Sequence, residues 1–300
     1  MATGLTLAAT SNLATGQKIL IGAAKAAFEP AAPDPDLVES LSIPQGTKQY
    51  DVLSYARLAS SAALTEGVDL AEVQQLVTAT ITITPSEHGS IVTLSKRLIR
   101  RQSDTSVIAT SGTLLANSLR RREALDVIAL YDTFTKSVGG TGVTLDVAHF
   151  RGSNGYLMTD NDAGYGPAQP PFRAALHIEQ ISDIILDISS GGDIGGTSVH
   201  ATTTGFSQEL LTNWWKARDR LYGVEVFHSG NIARDASNDS KGALFGKAAI
   251  NLVHANTAEP TEDEDPSART IEYGIFQEWG EAVRANVYGV EIFSNSAATV

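Results

Sequence analysis

The sequence contains no cysteine. Disulfides, thiolate metal sites and cysteine nucleophiles are therefore excluded, while the absence leaves the compartment open. It also lacks a basic excess. Asp and Glu number 34 against 22 Lys and Arg, a formal charge of −12. A protein that grips nucleic acid through its phosphates normally has the opposite balance. No run is long and apolar enough to cross a bilayer. The most apolar early stretch, ILIGAAKAAF, is short and carries Lys25. The opening MATGLTLAATSNLATGQK has neither a basic leader nor a long apolar core, so no secretory signal is expected. The chain reads as soluble and made inside a cell.

Catalytic and metal motifs are missing as well. His88, His149, His177, His200, His228 and His254 are scattered, so HExxH and facial-triad spacings do not occur. DNDAG at 160–164 starts like a calcium loop but has Gly164, Tyr165 and Pro171 where ligands and the bend glycine belong. GGDIGG follows a helical pattern rather than a strand, TGQK is no P-loop, and GFSQE is not GxSxG. TEDEDP reads as a solvated acidic loop. No enzyme, cofactor or metal is expected from these residues.

What is present is a chain of 300 residues, 42% hydrophobic, enough for a substantial core. In LVTATITITPSEHGSIVTLSKR, Val77, Ala79, Ile81 and Ile83 alternate with threonines. That period of two marks a strand with an apolar and a hydroxyl face. Pro85 to Gly89 has turn chemistry, and a second β-rich run follows from Ser90 to Lys96. The expectation is a long hairpin over these residues, whose apolar face needs a cover.

Around it, residues 1–48 read as an arm, with a short helix from Asn12 to Phe28 and an extended path through Pro30, Pro33 and Pro35. One long helix is expected over 104–137, ended by Gly139 and Gly140. Its apolar arc includes Leu115, Leu119, Leu125, Val127, Ile128, Leu130 and Phe134, which demands neighbours on several sides. Residues 141–173 look like loop. Helices are expected at 174–189 and 205–222, and one more near Ala243–Asn251. In the first of these, Ile178, Ile181, Ile185 and Ile188 form one stripe and Glu179, Asp183 and Asp187 a solvated one. LYGVEVFHSG and VYGVEIFSNS each read as a glycine bend feeding a strand. The order is not βαβα, which argues for α+β rather than a doubly wound sheet.

The LRRRE segment fans Arg120, Arg121 and Arg122 over three directions of the helix. Arg122 can pair with Asp126 one turn on, whereas Leu125 stands one turn beyond Arg121. With Arg97, Arg100 and Arg101 upstream, they make a local basic cluster suited to another chain or to phosphates.

The order of arm, β excursion, long helix and mixed body resembles the major capsid proteins of tailed bacteriophages, the Hong Kong 97-like fold. The residues that carry the likeness are ALTEGVDLAEVQQLVTATITITPSEHGSIVTLSKRLIRR, LLANSLRRREALDVIALYDTF, KGALFGKAAINLVHAN and NVYGVEIFSNSA, within about 49–296. The resemblance implies an N-terminal arm at 1–48, an extended loop at 49–103, a peripheral domain at 104–173 around a spine helix, an axial domain at 174–255, and C-terminal strands at 256–300 returning to the peripheral domain. It implies a non-enzymatic shell protein that assembles with itself into pentamers and hexamers around double-stranded DNA held without sequence specificity. Val77, Ala79, Ile81, Ile83 and Ile91 would then lie between subunits, and the arginine cluster would meet subunits or DNA. A separate scaffolding protein, a portal and a decoration protein are the implied partners, with no membrane. The implied location is the virion, after assembly in the host cytoplasm. A nanocompartment shell, another phage structural part and an α+β enzyme are the alternatives.

Overall fold

The computed structural model describes residues 30–44, 46–61, 63, 66–67, 74–101, 106–159, 166–190 and 220–297. The helices expected at Asn12–Phe28 and, apart from its last residues, at 205–222 lie outside the described residues, as does DNDAG.

The architecture is α+β, with three sheets among the described residues. The arm enters through α1 (Asp34–Leu37) and β1 (Glu39–Ser42). Pro35 suits the first turn of α1, where a missing N–H costs nothing. This segment is not a free extended tail: Leu37 and Val38 are buried in the core, and β1 pairs in parallel with β10 (Ile250–His254).

Strand β2 (Tyr50–Tyr55) pairs with β3 (Thr78–Ile83), from Tyr50 opposite Ile83 to Tyr55 opposite Thr78. This corrects the hairpin expected from the sequence. The runs on either side of Pro85 do not pair with each other. Pro85 has no N–H to give, and the chain changes sheets there. The next strand, β4 (Ser86–Ser95), runs antiparallel to β12 (Thr270–Val283), Ser86 opposite Trp279 and Ser95 opposite Thr270. The other edge of β12 takes β10 and then β11 (Glu259–Asp265). The acidic TEDEDP segment is thus mostly strand.

Helix α2 (Lys96–Arg101) follows β4, and α3 (Ser106–Ala129) lies across β4 and β12. The long helix stops at Ala129, short of the expected 137. A single tight turn at Tyr131–Thr133 follows, then β5 (Lys136–Thr144). Gly139 sits inside β5 at φ +96°, with Phe293 O where a side chain would stand. Gly139 thus serves a close strand contact rather than a helix end. The core under α3 holds Leu119, Val127, Tyr131, Phe134, Phe245 and Trp279. Trp279 Nε1 donates to Asp126 at 3.2 Å.

The six-stranded sheet joins β5, β13 (Gly289–Asn295), β9 (Asp239–Gly246), β6 (Phe172–Leu176), β8 (Val224–His228) and β7 (Arg220–Leu221), in that order. Helices α4 (Val147–Met158) and α5 (Ile178–Ser190) pack on it around Phe150, Leu157, Phe172, Ile181, Ile184 and Leu244. Residues expected as loop supply α4, whose N-terminus Asp146 caps through His149 N at 2.7 Å. The helix expected near Ala243–Asn251 is instead the end of strand β9, one tight turn and the start of β10. The two repeated phrases do lead into strands, β8 and β13. Sheet membership therefore divides the chain differently from the boundaries 104–173, 174–255 and 256–300. Residues 136–158 and 289–295 join the body of 172–190 and 220–246, while 250–254 lies in the sheet of β12.

Candidate inter-subunit surfaces

Residues 56–77, of which 62, 64–65 and 68–73 lie outside the described residues, join Tyr55 of β2 to Thr78 of β3. Residues opposite one another in an antiparallel ladder share a face. Val52, Ile81 and Ile83 share one face, and Leu53 and Tyr55 share the other with Thr78, Thr80 and Thr82. The base of the first face is covered by the chain itself: Val52 and Ile83 pack with Ile43 and Val253. The threonine face is open. Leu53 is 50% and Tyr55 57% exposed, and near the tip Leu58, Leu76 and Val77 exceed 50%. Among the described residues, five of the eleven exposed large apolar side chains lie on this excursion. A local concentration of that kind marks a contact surface.

The expected hairpin contacts therefore split. Val77 and Ala79 are exposed, Ile81 is half-buried, and Ile83 is 3% exposed inside the chain's own core. Ile91 is exposed on β4, a strand of a different sheet, opposite Gly274. Sequence alternation found the Ile83 face. It missed Leu53 and Tyr55, because their partner strand is more than twenty residues away.

The second surface is the edge strand β11, every residue of which is exposed. Glu259, Glu262, Asp263, Glu264 and Asp265 line it. Like charges on an open edge discourage indiscriminate strand addition. Asp265 is held below the usual carboxylate range by the Ser267 hydroxyl and the N–H groups of Ala268 and Ser267. Lys96 of α2 pairs with Glu264.

The expected arginine cluster does not form one patch. Arg97 and Arg100 are exposed on α2, and no side-chain placement is described for Arg101. Arg120 turns to the arm, with Nη2 2.5 Å from Asp36 Oδ2 and Nη1 3.1 Å from Glu123 Oε2. Arg122 pairs with Asp126 at 2.8 Å, as its spacing suggests. Arg121 is exposed on α3. Arg120 and Arg122 are thus engaged within the chain rather than held ready for a partner.

The arm is fastened by a carboxylate. Asp34 is fully buried and accepts from Tyr131 Oη at 2.8 Å and Ser229 Oγ at 2.5 Å. Burial pushes its carboxyl up, against those hydrogen bonds, and pushes the Tyr131 hydroxyl well above its ordinary value. Arg173 Nη1 donates to the carbonyls of Asp36 and Leu37, at 3.3 and 2.8 Å.

Acid–base groups elsewhere are tied into structure. Asp146 is occupied in the cap of α4, accepting from His149 N, with the His149 ring Nδ1 2.8 Å away. Burial holds His177 and His228 below the ordinary imidazole range. Asp183 is pushed up to about 6 by burial and then by neighbouring Glu179. No cluster of three or more His, Cys, Asp or Glu able to hold a metal occurs among the described residues. No helix among them is long and apolar enough to cross a membrane.

No protein-family model matches the sequence, and no curated protein does. Solved structures do match. The capsid of Ralstonia phage GP4 shares 9% identity at TM-score 0.68, covering 88% of each chain. The capsid of cyanophage P-SCSP1u shares 13% at TM-score 0.65, covering 92% of each. The acid-stable capsid of Helicobacter pylori bacteriophage KHP30 shares 14% at TM-score 0.65, covering 87% of this chain and 88% of the other. The fold is that of phage capsid proteins, the fold expected from the sequence.

Proposed function

We propose that this chain is the major capsid protein of a tailed phage. It assembles with itself into pentamers and hexamers of an icosahedral shell that encloses double-stranded DNA. The observation that carries this reading is the end-to-end likeness to capsid chains, which leaves little of either partner unmatched. The exposed apolar hairpin supports it, since Leu53, Tyr55, Leu58, Leu76 and Val77 are at least half exposed and would gain cover from another molecule. The role is structural rather than enzymatic. The net charge of −12 suits a wall that holds DNA without gripping it. A separate scaffolding protein, a portal and a decoration protein are the remaining partners in this reading. The finished protein sits in the virion after assembly in the host cytoplasm. Val77, Ala79, Ile81 and Ile91 join Leu53 and Tyr55 as proposed contacts between subunits, and Arg97 and Arg100 as proposed contacts with subunits or DNA.

The test is Leu53→Asp combined with Tyr55→Asp. Both side chains are exposed, so the fold should survive and the circular dichroism spectrum should be unchanged. Particle mass by light scattering should fall from shells to small oligomers. Shells of normal mass from the double variant would remove the hairpin from the interface. Intact shells filled with a host enzyme and free of DNA would instead mark a nanocompartment.

A further inference from the structure

One margin of the β12 sheet is divided by charge. Strand β11 forms its edge and carries Glu259, Glu262, Asp263, Glu264 and Asp265 in seven residues, all exposed. Among the described residues, only Glu264 of these has a cation beside it, Lys96 of α2. The charge bars this edge from ordinary strand pairing but leaves it open to side chains of opposite sign.

Helix α2 starts at the same end of the sheet. Ser95 and Asp265 both pair with Thr270, and Lys96 N donates to Arg269 O at 2.9 Å. Arg97 and Arg100 are exposed, and a spacing of three puts them on one face of the helix. Neither is ion-paired among the described residues. Arg269 is a third exposed cation at this end.

The two surfaces lie side by side and do not neutralise each other. Lys96 reaches the near end of β11 and takes Glu264. Glu259 stands five residues further along, about 17 Å of strand. A second copy approaching head to tail would set its own α2 against this edge. Such a contact repeats from copy to copy, which is how identical units build closed rings.

We propose that Arg97 and Arg100 of one copy dock against Glu259 and Asp263 of the next. This rests on the capsid reading and names what those arginines meet in the shell. Glu259 and Asp263 are four apart on a strand, so they face the same way. DNA is the other partner that two arginines suit, but the five carboxylates of the adjoining strand repel it. One exposed ion pair contributes little. A shell repeats it at every contact.

Charge reversal tests the pairing in the full chain, with scaffolding protein added where the unaltered chain needs it. Arg97→Glu with Arg100→Glu should lower the yield of shells about tenfold at low salt, because like charges then face each other across the contact. Glu259→Lys with Asp263→Lys should do the same. All four positions are exposed, so the melting temperature of the unassembled chain should not change. The four substitutions together reverse both surfaces and should restore shells, which a merely misfolded variant would not do. Shells at normal yield from either pair of substitutions, or no recovery in the combined chain, would overturn the pairing and leave the capsid reading standing. Normal shells with less DNA from the arginine variant would also overturn it and assign those side chains to DNA. No shells from the unaltered chain would overturn both.

Discussion

Asp183 shows how a residue's setting outweighs its place in a pattern. It lies in the polar stripe of α5, expected to be solvated, yet it is only 8% exposed. Its carboxyl is pushed up to about 6 from an ordinary 3.8. The folded chain therefore binds a proton more readily than the unfolded one between those values. Stability contributed by that proton is full below about 3.8 and is lost as pH rises through about 6. Asp183→Asn should raise the melting temperature at pH 8 and leave it nearly unchanged at pH 4. The gain, after solvent screening, is on the order of 1 kcal/mol. Equal shifts at both pH values in thermal melts would contradict this. The neighbouring Asp187 is also not simply solvated, since its Oδ2 accepts from Val147 N at 2.9 Å and ties α5 to α4.

At the scale of elements, local pattern was informative where an element's partners were irrelevant to its form. The Thr–Ile alternation read β3 correctly, the Ile spacing read α5, and the glycine bends pointed to β8 and β13. The sequence pattern failed where a remote strand decided the outcome. Whether β3 pairs with β2 or β4 depends on β12, which competes for β4 and begins only at Thr270. Likewise Gly139 resembles a helix stop until Phe293 is seen beside it. Of the candidate contacts, Val77 and Ala79 were legible as members of an exposed excursion. Leu53 and Tyr55 were not, because an isolated β2 gives no sign of which face will be open. This division separates two roles within one hairpin. Ile83→Ala should cost about 2–5 kcal/mol of stability, because it empties a site shared with Ile43, Val52 and Val253. Chemical denaturation of the unassembled chain would measure it. A loss below about 0.5 kcal/mol would return Ile83 to the surface class.

For the whole molecule, the described chain buries two large cores, one under α3 and one between α4, α5 and the six-stranded sheet, and a small one at the base of the hairpin. What it leaves open is peripheral: the hairpin beyond its base, the charged edge of β11, and the exposed face of α2. A stable body with open margins is the design expected of a unit that is completed by copies of itself. The likeness to capsid chains at 9–14% identity is a likeness of backbone architecture, carried by packing patterns rather than particular residues. The central claim is that copies of this chain close into a shell. It is tested most directly by electron microscopy of the protein produced alone and together with its candidate scaffolding protein, with particle mass from light scattering. Closed shells of uniform size, or tubes and open spirals that become shells when scaffold is added, are the expected result. A monodisperse monomer or dimer under every condition would contradict it.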